Sequence, residues 1–184
     1  SLAQVAIVGT AGGGLSIVRL DQPGVVIQNE PALDATRPIS TLIFTDAEAE
    51  PLAGPGAEGA AARVLDAGLV LLAADAFGGA DSCIERTCDY LKDREQFGVP
   101  IASFQAVKHQ LANLAVKVAP CRGLYWYAAH MFDKEPGTAP LAAAMAKSHL
   151  SDVYTHVTRA MIELHGGIGY TDVYPIERLL RDTV

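Results

Sequence analysis

Apolar residues in the first 50 positions come in short β-branched runs: Val5 to Val8, Leu15 to Leu20, Gly24 to Ile27 and Ile39 to Thr45. Gly, Pro, Asp and Asn turn signals separate them. That pattern predicts an antiparallel sheet, or part of one. Residues 46–62, DAEAEPLAGPGAEGAAA, are rich in Ala, Gly, Pro and Glu and carry no period, which predicts a surface connection and a boundary near residue 60. Beyond it the period changes from two to about 3.6. Leu69, Leu72, Ala76, Phe77, Ala80, Ile84, Cys88 and Leu91 recur mostly at three- and four-residue steps, and so do Val107, Leu111, Leu114, Val118, Cys121 and Tyr125. These predict two long amphipathic helices, the second kinked by Pro120, which lies inside its pattern. A third helix is predicted from about Leu141 to His165, with Val153, Val157, Ala160, Met161 and Leu164 on one face. It ends at Gly166-Gly167, where glycine suits a C-terminal cap, and residues 133–140, DKEPGTAP, form the loop before it. The chain therefore reads as α+β: a β-domain over 1–50, a linker over 51–60, and an up-and-down helical bundle over 61–184.

Composition narrows the function classes. Fourteen basic and 21 acidic residues give a net charge of -7, and no basic patch stands out, so a nucleic-acid backbone or an anionic membrane is not an expected partner. No apolar run reaches the roughly 18 to 20 residues of a membrane span. Cys83, Cys88 and Cys121 form no CxxC pair and are odd in number, which reads as reduced, buried thiols. These features together predict a soluble, cytoplasmic protein.

Two apparent signals have plainer explanations. Val5 to Leu15, VAIVGTAGGGL, imitates a dinucleotide-binding fingerprint, but the glycines lead into the strand pattern LSIVRL rather than a helix, so a Gly-rich hairpin is expected. His109, His130, His149, His156 and His165 never fall three or four residues apart, so no helical turn presents a metal pair. They read as solvated or core histidines.

Two segments are more specific. Asp93-Arg94-Glu95-Gln96-Phe97-Gly98, continuing to Gln105, ends one helix in a charged cluster, turns at Gly98-Val99-Pro100 and starts another helix near Ser103. Glu163-Leu164-His165-Gly166-Gly167-Ile168-Gly169-Tyr170-Thr171, continuing to Arg181-Asp182, ends a helix in a double glycine that lets backbone approach a ligand closely. In this order, separated by about 60 residues of helix, they resemble the RxQFGxxIxxFQ and GGxGYTxxYPxERxxRD segments of the acyl-CoA dehydrogenase family. The resemblance is strong over residues 61 to 184 and faint over 1 to 50, which are similar to the tail of the family's middle β-domain.

The resemblance implies an FAD site built partly by a neighbouring subunit. Arg94 corresponds to the arginine whose planar guanidinium meets the FAD diphosphate. Gln96, Phe97 and Gln105 correspond to residues that contact the ribityl and adenosine portions. Glu163, Gly166 and Gly167 fall along the adenosine end, where Gln is common at the first position; an ionised Glu163 accepts hydrogen bonds but cannot donate them. The implied assembly is a dimer or a dimer of dimers, with an acyl-CoA substrate and an electron-transfer flavoprotein as further partners.

The resemblance also exposes a gap. The family's α,β-dehydrogenation needs a carboxylate base close to the substrate. In most members it is a Glu shortly after the Arg-Asp at 181 and 182, beyond Val184. In others it lies at the start of the first long helix, where this sequence has Gly68, and Asp66 sits two positions away, roughly 200° around the helix. The family's Asp-x-x-Arg at that helix start reads Asp66-Ala67-Gly68-Leu69, without the arginine. Two readings compete. One is a piece of an ordinary homotetrameric enzyme. The other is the non-catalytic partner in a heteromeric enzyme resembling those of actinobacterial steroid side-chain breakdown, in which related subunits share each flavin; Gly68 and Leu69 favour it. A flavin-free helical scaffold is the third possibility, and the retained Arg94 cluster argues against it.

Overall fold

The computed structural model describes residues 3–34, 36–54 and 56–183. The chain divides into two compact units, one reaching to Asp66 and one starting at Ala67.

The first unit holds β1 (Val5–Gly9), β2 (Leu15–Arg19), β3 (Val25–Glu30), β4 (Ile39–Phe44) and the two-residue β5 (Glu50–Pro51). β1, β2 and β5 form one antiparallel sheet with β2 in the middle, and β3 and β4 form a separate antiparallel ribbon. The glycine-rich run between β1 and β2 is a hairpin loop, closed by Thr10 N–H donating to the Gly14 carbonyl at 2.9 Å. This agrees with the expectation that Val5 to Leu15 is not a nucleotide-binding turn. The predicted surface connection contains β5, held by Leu52 N–H on the Leu15 carbonyl at 2.9 Å. Edge pairing of this kind uses backbone groups, so Ala, Gly and Pro composition hides it. Arg63 pins the following turn by donating to the carbonyls of Gly56 and Glu58.

Helix α1 (Ala60–Asp93) crosses from the first unit into the second. Its buried stripe, Ala73, Phe77, Ala80, Cys83, Thr87 and Leu91, keeps the three- and four-residue steps of an amphipathic helix. A short hairpin comes next, β6 (Glu95–Gln96) and β7 (Val99–Pro100), then α2 (Gln105–Val118), α3 (Cys121–Lys134), α4 (Ala139–His165) and α5 (Ile176–Asp182). Pro120 breaks the second predicted helix rather than kinking it. Proline has no N–H to donate and its ring clashes with the carbonyl four residues back, while its fixed φ, here -68°, suits a helix start, so α3 begins directly after it. α4 starts two residues earlier than expected because Pro140 sits in its first turn, where a missing N–H is harmless.

α4 is the centre of the bundle, packing against α2, α3 and α5. Its buried face includes Ala143, Ala146, Leu150, Val157 and Met161. Small residues allow close approach: a Cβ on Gly79 of α1 would lie 2.4 Å from the Tyr154 ring. The Tyr154 hydroxyl reaches on to donate to Asp182 Oδ2 at 3.1 Å, tying α5 to α4. Burial pushes the Cys83 thiol up to about 12, and Cys121 is also buried, but Cys88, predicted buried, is only half-buried. All three are free thiols.

Candidate dinucleotide cleft

The last turn of α1 and the end of α4 bring the two sequence segments together. Arg94 comes directly after α1, with its N–H still donating to the Tyr90 carbonyl at 2.9 Å. The hairpin that comes next folds back, so Ile101 N–H donates to the Arg94 carbonyl at 2.8 Å. Opposite, α4 stops because Gly166 adopts φ 63° and ψ -144°, a region closed to residues with a Cβ. A 3₁₀ turn, Gly166–Tyr170, carries the chain onward.

Between these ends lies a cleft of about 480 Å³. Arg94, Gln96, Glu163, Gly166 and Gly167 all line it, so five of the seven residues proposed from sequence meet in one place. Their contacts suit an anionic, polyhydroxylated ligand. The Arg94 guanidinium has no hydrogen-bond or ion-pair partner among the described residues. A Cβ on Gly167 would meet nothing within 4 Å, so the backbone there is open to approach. The Gln96 amide, which donates to the Glu95 carbonyl at 2.7 Å, keeps a second N–H and its oxygen for other partners. Glu163 is exposed and forms no ion pair with Arg94; its carboxylate is the one group in the set that opposes a phosphate.

The other two residues stand apart from the cleft. Phe97 occupies the tip of the β6–β7 hairpin at φ 56°, with Gly98 after it at φ 77°. Both central positions are therefore left-handed, as a tight two-residue hairpin turn requires, and a bulky aromatic there is an outlier. Phe97 is 94% exposed, and its ring has Phe104 as a neighbour, edge-on at 6.1 Å. Gln105 opens α2, exposed, with its amide 3.4 Å from His109 Nε2.

Sequence reasoning missed the aromatic side of the cleft. Tyr90 and His165 also line it, with their rings stacked at 4.3 Å. The signal was the position of His165 immediately before the glycine pair, and that of Tyr90 four residues before Arg94. Among the described residues no group of three or more His, Cys, Asp or Glu side chains is placed to hold a metal ion. No helix among them is long and apolar enough to cross a membrane.

The family model for the acyl-CoA dehydrogenase C-terminal domain matches residues 56–184. The chain belongs to the acyl-CoA dehydrogenase family. It is 36% identical over 180 residues to the mitochondrial isobutyryl-CoA dehydrogenase of Dictyostelium discoideum, covering 95% of this chain and 43% of that relative. Among solved structures, a variant of the Tcur3481-Tcur3483 steroid ACAD is 33% identical with a TM-score of 0.81, covering 92% of this chain and 45% of its own. Butyryl-CoA dehydrogenase from Megasphaera elsdenii shares the fold at a TM-score of 0.83 and 28% identity, covering 98% of this chain and 51% of its own. The chain thus spans about two-fifths to one-half of the length of these three relatives. Its sheets and helical bundle are those of the family fold.

Proposed function

We propose that this chain supplies the FAD-binding helical domain of an FAD-dependent acyl-CoA dehydrogenase, acting as the non-catalytic subunit that shares its flavin with a related chain. The observation that carries the reading is the convergence of Arg94, Gln96, Glu163, Gly166 and Gly167 on one cleft. In it, Arg94 would take the diphosphate through its fork of donors, Gln96 would reach neighbouring hydroxyls, and the Gly166–Gly167 backbone would admit the adenosine end. Phe97 and Gln105 would complete the site from outside the cleft, consistent with a cofactor that extends to another subunit. When bound, the flavin would accept the hydride that leaves the acyl β-carbon. The bundle would also carry the oligomer contacts, the related subunit would bring the acyl-CoA, and an electron-transfer flavoprotein would take the electrons.

Gly68 supports the non-catalytic role. It lies inside α1, its Cβ position is free of neighbours within 4 Å, and helical glycine costs roughly 1 kcal/mol relative to alanine, so packing gives no reason for it. The site where part of the family keeps its base is therefore vacant of a carboxylate without structural need. The three free thiols support a cytoplasmic setting.

The test is the visible absorption spectrum of the intact protein, prepared with and without the product of its nearest related neighbour. Flavin bands only with both chains are expected. Flavin with this chain alone would favour a homomeric enzyme, and none in either preparation would favour a flavin-free scaffold. Arg94→Ala should weaken FAD binding by about 1.5 to 3 kcal/mol, the usual worth of a hydrogen bond to a charged group. Tight, stoichiometric binding of a CoA ester by this chain alone would overturn the partner role.

A further inference from the structure

Three rings meet where α4 ends. His165 stacks on Tyr90 with centroids 4.3 Å apart and planes 16° from parallel. Tyr174 closes the group, edge-on to Tyr90 at 5.1 Å and tilted against His165 at 5.4 Å. The imidazole is held in one protonation state by its surroundings. Nδ1 lies 2.8 Å from the Met161 carbonyl, which only accepts, so the proton is on Nδ1. Nε2 is buried and has no partner among the described residues. A second proton there would be a buried donor without an acceptor, and burial also disfavours the charged ring.

The same tyrosine also grips the backbone. The Tyr90 hydroxyl donates to the carbonyl of His165 at 3.2 Å, while the Tyr90 carbonyl accepts from Arg94 N–H. One residue of α1 is thus bonded to the residue before the glycine pair and to the residue that carries the guanidinium. Gly166 and Gly167 cannot hold themselves: glycine has the widest conformational freedom of any residue, and Gly166 sits where only glycine goes.

We propose that His165 is a positioning residue for the cleft: through its stack on Tyr90 it fixes the Gly166–Gly167 backbone opposite Arg94, so that the diphosphate and adenosine contacts are formed before the cofactor arrives. This rests on the reading of the cleft as an FAD site. A planar ring is the requirement, since a stack constrains the rotation of the His165 side chain in a way that apolar volume alone does not.

The experiment compares His165→Phe, His165→Leu and Tyr90→Phe with the wild type, in the intact protein together with its related subunit where flavin retention needs it. Two quantities are read: the Kd for FAD, and the amide hydrogen exchange of residues 166–169 without FAD. His165→Phe, which keeps the ring, should stay within about threefold of the wild-type Kd, while His165→Leu should lose about tenfold. Tyr90→Phe, which keeps the ring and drops the hydroxyl, should lose about fivefold. Exchange at 166–169 should rise in His165→Leu and stay near wild type in His165→Phe, at matched melting temperatures. Equal Kd and equal exchange in the leucine and phenylalanine variants would overturn the proposal, as would losses that simply track melting temperature. If the wild type binds no FAD, the cofactor reading fails by itself, and the exchange comparison still decides whether His165 positions the turn.

Discussion

In strands β1 to β4, Val5, Ile7, Val26, Ile39 and Ile43 are between 43% and 64% exposed, whereas in α1 and α4 Cys83, Leu91, Val157 and Met161 are fully buried. Both regions are rich in apolar residues, yet only the bundle turns them into a core of its own. Within the sheet unit, Val18 and Ser16 of β2 are the residues removed from solvent among those described. The β3–β4 ribbon has none, and a lone two-stranded ribbon is marginal in water. The difference teaches that alternation of apolar residues announces a strand but not the surface that will cover it. The bundle, with facing stripes from α1, α2, α3 and α4, provides cover for itself.

That contrast can be broken most severely at Gly79. Gly79→Leu forces a side chain into the Tyr154 ring and should cost about 3 kcal/mol in urea unfolding, whereas Gly68→Ala, with open space around its Cβ, should gain about 0.5 to 1 kcal/mol. Equal effects at the two glycines would mean that the bundle is not close-packed there. Native-state hydrogen exchange sharpens the comparison without mutation. Amides in the middle of α4 should outlast those of β3 and β4 by about two orders of magnitude, on the order of 3 kcal/mol of opening free energy, and comparable protection in both would refute the contrast.

Within the sheet itself, Val18→Ala should cost about 1 to 2 kcal/mol and Ile7→Ala under about 0.5, because only the first removes buried methyl groups. The smallest effect concerns acid. Burial holds the His165 imidazole below its ordinary pKa of 6.5, so the unfolded chain binds this proton first. Its contribution is complete above about pH 6.5 and declines as the pH falls toward the lower folded-state pKa. The difference in unfolding free energy between wild type and His165→Phe, measured from pH 7.5 to 5, should therefore shift in favour of the variant as acid is added. A flat difference would show that the ring is not held neutral.

Much of this was legible in the sequence, and the exceptions share a cause. The strands of β1 to β4 and the stripe of α1 arise from periods of two and 3.6 that side chains impose locally. The two marker segments single out Arg94, Gln96, Glu163, Gly166 and Gly167, and the fold brings these five to one cleft. Strands β5, β6 and β7 are two residues each, too short to show any period. Pro120 announced a disturbance, but whether a proline bends a helix or ends it depends on how neighbouring helices receive the two halves. Tyr90 and His165 are 75 residues apart in the chain, and a stack between distant rings leaves no trace in local spacing.

Phe97 has a consequence for anyone who would redesign this chain. Asn or Gly would relieve its left-handed backbone, and removing an exposed aromatic ring would sacrifice little packing. A selection scored on heat resistance alone would therefore discard phenylalanine at position 97 early. What keeps it must be measured against something other than the isolated chain's endurance. Libraries built on this domain should hold that position constant until a binding readout is part of the screen.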